Sequence, residues 1–255
     1  MRATPDGAAA RRGHDATVDE SARIRTTREI FAGIAGDYDT PAQLFGLGRY
    51  HAWHRALVDR VVPVAPRRVL DMCTGTGLVS AELVRRTDAH VVAVDITRPM
   101  LERARRRPGL AGRVSFVEAA AQTPPFGERS FDAVVFTYLL RYVDDVPGTI
   151  AALGRLVRPG GVLASLEFGV PPNPLARAAW RLYTQTVLRG GLALLSPGWR
   201  RVGGFLGASI STLEERHPVS ALEGYFRAAG FDVQPTARLS LGGGVVMSGV
   251  RRGPV

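Results

Sequence analysis

Short apolar runs and amphipathic stretches alternate along the middle of the chain, between residues 66 and 170. A short apolar run bounded by turn residues predicts a buried strand, and apolar positions three and four residues apart predict a helix. Strands separated by helices favour a parallel sheet with helices on both faces. The predicted strands are 68–71, 90–94, 113–117, 131–136 and 161–167, and the predicted helices between them are 78–86, 98–107 and 146–157.

The segments on either side of this core break the alternation. Residues 1–25 are polar and poor in large apolar groups, which predicts a disordered leader before a single domain at 26–255. The fold class predicted is α/β, with a doubly wound, mostly parallel seven-stranded sheet. The parts of the domain are N-terminal helices at 28–62, a core at 66–170, a helical insertion at 171–215, and a helix and two strands at 216–255, the strands being 231–239 and 245–251.

A glycine-containing loop follows the first predicted strand. The loop has the pattern Asp71-x-x-x-Gly75-x-Gly77, and Asp95 ends the second strand, where a carboxylate can accept both hydroxyls of a ribose. Such a loop fits a dinucleotide or S-adenosylmethionine (SAM). Two residues favour SAM: Ser80 stands where the dinucleotide fingerprint has its third glycine, and Asp71 would repel a pyrophosphate but attract an ammonium group. A plain glycine turn with Asp71 as a helix cap stays open.

Composition narrows the class of protein further. Hydrophobic residues make up 45% of the chain, but no apolar run reaches the roughly 18 residues of a membrane span. The single cysteine, Cys73, allows no internal disulfide, so we expect a cytoplasmic protein. All basic residues are arginine, and the formal net charge is +10. Because these arginines are scattered, nucleic-acid binding is not expected, whereas contact with an acidic membrane surface stays open.

Several motifs give the chain a family resemblance. It resembles the ubiquinone/menaquinone biosynthesis C-methyltransferases, which are class I SAM-dependent enzymes that methylate the ring of a polyprenylated quinol. The resemblance implies SAM as the cofactor and a lipophilic small molecule as the acceptor. The motifs that carry it are Phe31-x-x-Ile34-Ala35-x-x-Tyr38-Asp39, Gly75-Thr76-Gly77, Asp95-Ile96 followed by Met100-Leu101, Leu140-Arg141-x-Val143, and Arg155 to Gly161 followed by Leu166-Glu167-Phe168.

The chain departs from the family pattern at several positions, most of them on the acceptor side. Asparagine is replaced by Ala42 and by Tyr142, serine by Gly46, and histidine by Tyr50. On the cofactor side, Ala120 replaces the acidic or amide residue that would bind the adenine amine. A quinol or phenol such as demethylmenaquinol is the acceptor that the resemblance implies. Two alternatives stay open: another lipophilic aromatic or terpenoid acceptor, and a SAM-fold protein that binds without catalysis.

The resemblance and the chemistry of methyl transfer together nominate the site residues. A phenol must lose its proton so that its ring becomes electron-rich, which requires a base and a partner for the oxyanion. His51 and His54, on one predicted helix, are the two candidate bases. The catalytic candidates are Arg141, Tyr38, Asp39 and His51, and the cofactor-binding candidates are Asp71, Thr74, Gly75, Thr76, Gly77, Asp95, Ile96, Met100, Ala120, Ala121 and Thr137.

The apolar insertion at 171–215 has two interpretations. Apolar groups at helical spacing form either ordinary core or a lid that encloses a greasy acceptor, and its position after the fifth strand favours a lid. Possible assemblies are a homodimer and a peripheral contact with a membrane. No metal site is predicted, because His, Cys and carboxylates do not cluster at ligand spacing.

Overall fold

A computed structural model describes residues 24–46 and 48–253, which form a single mixed sheet with helices on both faces. The strand order is β3-β2-β1-β4-β5-β8-β6, with β7 pairing β8 from outside this path. The strands are β1 Arg68–Met72, β2 His90–Asp95, β3 Val114–Glu118, β4 Phe131–Thr137, β5 Val157–Phe168, β6 Phe231–Val233, β7 Ala237–Leu239 and β8 Gly244–Arg251. The helices are α1 at 24–32, α2 Asp39–Phe45, α3 Tyr50–Val58, α4 Leu78–Arg86, α5 Arg98–Arg105, α6 Val146–Arg155, α7 Pro174–Tyr183, α8 Arg189–Leu195, α9 Pro197–Arg216 and α10 Val219–Ala228.

The predicted α/β class and mostly parallel sheet are confirmed, but the sheet has eight strands rather than seven. The predicted strand 231–239 is divided into β6 and β7, both antiparallel to β8. Gln234 still donates its backbone N–H to the carbonyl of Ser248, at 2.9 Å. Pro235 has no N–H to donate, so the chain leaves the ladder there before pairing again at Ala237.

The sheet topology defines where a ligand can bind. Strand β1 lies between β2 and β4, and all three are parallel. The chain therefore leaves β1 towards one side and returns on the other, which opens a crevice at the carboxyl ends of these strands. The glycine loop begins directly after β1, so it lies at this crevice.

The core has two layers, one on each face of the sheet. Along β1, Leu70 and Met72 pack on one face against α6 and α10, whereas Val69 packs on the other against α3 and α4. Because both faces of the central strands are buried, residues of both orientations are apolar, and these strands read as continuous apolar runs. A third cluster joins the N-terminal segment to the helices after β5, with Ile34 and Trp199 at its centre.

The predicted disordered leader, residues 1–25, lies outside the described residues except at its end. Residues 24 and 25 belong to helix α1, so the prediction is wrong for these two. The physical reason is a contact that the local composition does not reveal: Ile24, Thr27 and Phe31 cover the crevice. Arg28 also donates from Nε to the carbonyl of Ile96, at 3.1 Å.

The helices after β5 form an almost continuous run. Helix α7 passes into α8 through a π-helical turn at Thr184–Leu188, and Ser196 then caps α9 through its side-chain oxygen. Within the described residues, no helix is long and apolar enough to cross a bilayer.

Candidate active site

The loop after β1 depends on residues with a left-handed backbone. Cys73, Gly75 and Gly77 have φ values of 61°, 55° and 82°. A Cβ at Gly77 would lie 3.1 Å from the Cβ of Ala104, so this glycine allows α4 to approach α5 closely. At Gly75 no atom lies within 4 Å of such a Cβ, which leaves open space beside the loop.

Asp71 lies beneath the glycine loop and is fully buried. Its Oδ2 accepts hydrogen bonds from the hydroxyls of Thr74 and Ser80, at 2.7 and 2.6 Å, and burial raises its pKa to about 6. Ser80 therefore stabilises the Asp71 carboxylate by a hydrogen bond, at the position where a dinucleotide loop would have glycine. Oδ1 of Asp71 has no hydrogen-bond partner among the described residues. The ionised carboxyl places negative charge directly behind the loop. That charge disfavours a pyrophosphate and favours a cationic ligand.

Asp95 joins the tip of β2 to the glycine loop. Its Oδ2 accepts from the backbone N–H of Gly75 at 2.9 Å, and its Oδ1 accepts from that of Thr97 at 2.8 Å. Burial raises the pKa of this carboxyl, although the hydrogen bonds from Thr97 and Gly75 oppose the shift. Each oxygen retains a lone pair that can accept a further hydrogen bond, and two such acceptors are what the two hydroxyls of a ribose require.

The crevice is a cavity of about 970 Å³ that is partly open to solvent, here called the first cavity. Ten of the predicted site residues line it, and five do not. The ten are Tyr38, Thr74, Gly75, Thr76, Asp95, Ile96, Met100, Ala121, Thr137 and Arg141. Ala120 is outside the wall, whereas Ala119, Ala121 and Gln122 are in it.

Gly77 and Asp71 are also outside the wall, because one packs against α5 and the other lies beneath the loop. The structure places them behind the wall, and their contact with the cofactor stays a prediction. Asp39 is likewise turned away: its carboxylate accepts from the Thr76 hydroxyl and pairs with Arg107 Nη2 at 2.6 Å. It holds α2 to the glycine loop and to the end of α5.

His51 and His54, the two candidate bases, occupy different environments on α3. His51 is exposed and outside the cavity wall, so the structure does not bring it together with the other candidates. His54 is buried, lines the first cavity, and has neither ring nitrogen hydrogen-bonded. Burial, followed by the charges of His51 and Arg107, lowers its pKa to about 3, so the ring is neutral at physiological pH.

A second cavity, of about 640 Å³, lies between the N-terminal helices and the helices after β5. Its wall is mostly aromatic and aliphatic, with Trp180, Tyr183, Leu192, Trp199 and Ile210 among its residues. The two cavities share part of their walls and thus adjoin. The shared residues are Phe31, Tyr38, Tyr50, Arg141 and Tyr142.

Arg141 is the cation at this junction. It follows β4 in a 3₁₀ turn, and its guanidinium lies 4.9 Å from the ring centroids of Tyr142 and Phe168. Behind it, the Glu167 carboxylate is 3.8 Å from Nη1 and accepts the backbone N–H of Leu140 at 2.8 Å. Nε and Nη1 of Arg141 have no hydrogen-bond partner within the described structure. A buried guanidinium with unused donors is prepared to bind an anionic oxygen.

Sequence reasoning missed Glu167 as a site residue. Its carboxyl is buried, and burial raises its pKa to about 7 despite the opposing charge of Arg141. The signal was present: a lone acidic residue ends the apolar strand β5, and a buried carboxylate needs a partner. Tyr50 was noted only as a departure from the family pattern, although it walls both cavities. Within the described residues, no His, Cys and carboxylate cluster could hold a metal ion.

The fold and the site together define a SAM-dependent methyltransferase: an open sheet with a glycine loop after β1 and a carboxylate at the tip of β2. Magnesium protoporphyrin IX methyltransferase from Synechocystis PCC 6803, solved with bound SAM, shares this fold with a TM-score of 0.63. The match covers 90% of this chain and 97% of that one at 15% identity. This likeness shows the fold, and SAM as the cofactor follows from the family to which the chain belongs.

The chain belongs to the ubiE/COQ5 methyltransferase family, whose model matches residues 17–250. It is 37% identical over 202 residues to a demethylmenaquinone methyltransferase of Clavibacter sepedonicus, covering 79% of this chain and 80% of the relative. It is 30% identical over 237 residues to a ubiquinone/menaquinone biosynthesis C-methyltransferase of Dinoroseobacter shibae, covering 91% and 93%. The family resemblance inferred from the motifs is thereby confirmed.

Proposed function

We propose that the enzyme methylates a ring carbon of a lipophilic quinol or phenol of the demethylmenaquinol type. The observation that carries the proposal is the junction of a polar and an apolar cavity at one buried arginine. The first cavity suits the cofactor, and the second suits an apolar ring and tail. The names of the relatives from Clavibacter sepedonicus and Dinoroseobacter shibae support a quinone precursor as the acceptor.

The polar residues of the first cavity are proposed to bind SAM, which supplies an electrophilic methyl group on a sulfonium. Asp95 accepts the ribose hydroxyls, and Asp71 lends negative charge to the loop that faces the ammonium group. Met100 and Ile96 provide apolar walls for the adenine. Thr74, Gly75 and Thr76 shape the loop, and Ala121 and Thr137 complete the opposite wall.

Arg141 is proposed to stabilise the oxyanion of the acceptor. A phenol that loses its proton pushes electron density into the ring, and the carbon beside the oxygen becomes the nucleophile. Glu167 lies 3.8 Å from Nη1 and holds the guanidinium from behind, and Nε has no hydrogen-bond partner among the described residues. His54 offers a neutral, unpaired nitrogen to the acceptor hydroxyl, and Tyr38 lies at the cavity junction to orient the ring.

A second acceptor class is favoured by one specific observation. Tyr50 and Tyr142 replace a histidine and an asparagine of the family pattern, and both line the junction of the two cavities. Compared with histidine and asparagine, the two tyrosines add bulk and aromatic surface for stacking, which suits a different aromatic or terpenoid acceptor. The reaction type and the use of Arg141 would be unchanged.

The test is transfer of a labelled methyl group from SAM to a reduced demethylnaphthoquinone with a short prenyl tail. We expect a singly methylated product with the label on the ring carbon, identified by mass spectrometry and carbon NMR. The matched control is the same quinol with that carbon already methylated, which should not react. Methylation of oxygen, or turnover only with non-quinol phenols, would contradict the quinol assignment.

Glu167→Gln should flatten the dependence of stability on pH. Burial raises the folded pKa from 4.5 to about 7, so the folded chain holds more protons than the unfolded chain between these values. This carboxyl therefore supports the fold fully below pH 4.5, and its support is lost as the pH rises through 7. Thermal melts at about pH 5 and about pH 8 should show a smaller fall in Tm for Glu167→Gln.

The matched control is Glu128→Gln, which makes the same chemical change at an exposed carboxylate, 3.7 Å from Arg155. This variant should keep the wild-type dependence of Tm on pH. Asp71, whose pKa burial also raises, acts in the same direction and remains in both variants. An unchanged slope in Glu167→Gln would mean that the buried carboxyl does not titrate as described.

A further inference from the structure

Five large apolar side chains are exposed on the helices after β5. They are five of the seven exposed large hydrophobic residues among those that the structure describes. The five are Leu175, Leu182, Val187, Leu194 and Leu195, with exposures of 82%, 64%, 54%, 88% and 46%. Single exposed apolar residues are ordinary, but a concentration on one helical run is typical of an interaction surface.

The spacing of four of these residues places them on one side of the α7–α8 run. Leu175 and Leu182 are seven residues apart, as are Val187 and Leu194, so each pair lies on one helix face. Leu182 and Val187 are five apart, which would separate them in a regular α-helix. The π-helical turn at Thr184–Leu188, with its i→i+5 hydrogen bonds, brings residues five apart closer to the same face.

The charge around this face has one sign. Between Glu167 and Glu214 the sequence has five arginines and no acidic residue. Arg181, Arg189, Arg200 and Arg201 are exposed, and the ion pairs found between described residues include none of them. A run that combines exposed apolar side chains with arginines and has no acidic residue of its own matches an acidic lipid headgroup layer over an acyl interior.

The opposite side of the same run faces the second cavity. Trp180, Tyr183, Leu188 and Leu192 line that cavity, so the run is apolar on both sides. The helices that would contact a bilayer are thus the helices that enclose the proposed acceptor.

We propose that the outer face of α7–α8, defined by the five exposed apolar residues with Arg181 and Arg189, docks on an anionic lipid bilayer. A second copy of the chain is a poorer occupant, because pairing two such faces would bring their arginines together without a counter-charge. The docking itself requires only this face. Delivery of the acceptor from the bilayer into the second cavity rests on the proposed function.

The test uses flotation of the full chain with vesicles of phosphatidylcholine alone or mixed with phosphatidylglycerol. We expect binding to the anionic vesicles that weakens as salt is raised. Each arginine near such a surface contributes about a fivefold change in affinity, so Arg181→Gln with Arg189→Gln should weaken binding by roughly tenfold or more. Leu182→Ser with Leu194→Ser should weaken it to a similar extent through loss of buried apolar surface.

The charge-matched control is Arg55→Gln with Arg106→Gln, which changes two exposed arginines elsewhere and should bind as the wild type does. Equal binding of all variants, or no preference for anionic vesicles, would overturn the proposal. A surface that instead joins two copies would show as a change in the molar mass of the leucine variant without a change in flotation.

Activity with two acceptors separates this proposal from the proposed function. The surface variants should keep wild-type turnover of a short-tailed quinol in solution and lose turnover of a long-tailed quinol in vesicles. If neither the wild type nor any variant methylates the soluble quinol, the proposed acceptor is wrong, whatever the flotation experiment shows.

Discussion

Arg141→Met should lower kcat by about 10²- to 10³-fold, the usual effect of removing one donor to a developing oxyanion. Methionine keeps the length and apolar contacts of the arginine stem between Tyr142 and Phe168 but removes the charge. SAM affinity, measured by isothermal titration, should stay nearly unchanged, because the contacts proposed for SAM come from other residues of the first cavity, with Asp95 and the glycine loop making the polar ones. A loss confined to kcat would assign Arg141 to the reaction rather than to cofactor binding.

The Arg141 variant needs a control for folding, because it leaves Glu167 buried without its counter-charge. The double variant Arg141→Met with Glu167→Gln removes both charges and should recover stability without recovering turnover. Recovery of activity in the double variant, or loss of SAM binding in the single one, would contradict the role given to Arg141.

Asp95→Asn should raise the Kd for SAM by about 10²-fold or more. A hydrogen bond to a charged acceptor is worth about 1.5–3 kcal/mol, and the two ribose hydroxyls would both lose the charge. The amide also places a donor where the backbone N–H of Gly75 or Thr97 now finds an oxygen. Isothermal titration with SAM measures the effect directly.

Asp132→Asn is the matched control for Asp95→Asn. Asp132 is also buried, and its Oδ2 accepts two backbone N–H groups, from Arg67 and Arg68. It lies at the amino ends of the parallel strands, away from the crevice. Its variant should lose a comparable amount of stability and keep SAM affinity. If Asp95→Asn lost stability but bound SAM normally, its carboxylate would serve only to fix the loop.

The sequence predicted the central strands and helices well, because the relevant interactions are local. Helix α4, predicted at 78–86, is found at those bounds, and the first four predicted strands end within one residue of their observed ends. Each has a clear apolar period. The eighth strand was missed because the β pattern runs on through Pro235. In the structure this single proline interrupts the pattern and divides it into two strands.

The site was predicted less completely, because its contacts join distant parts of the chain. Asp39 pairs with Arg107, 68 residues away, and no local pattern gives such a partner. The orientation of α3 was more accessible: His51 shares the exposed face with Arg55, four residues on, whereas His54 neighbours the buried Leu57 and Val58. Applying the helical period to the two histidines would have chosen His54.

The two cavities adjoin at Arg141, yet different parts of the chain cover them. Ile24 and Thr27 of α1 cover only the first, and Leu192 and Val202 of α8 and α9 cover only the second. Phe31 of α1 walls both cavities, so a movement of α1 would open both. A movement of α8 and α9 alone would open the second cavity and leave Ile24 and Thr27 over the first, so that the proposed lipophilic product could leave while the nucleoside stays in place.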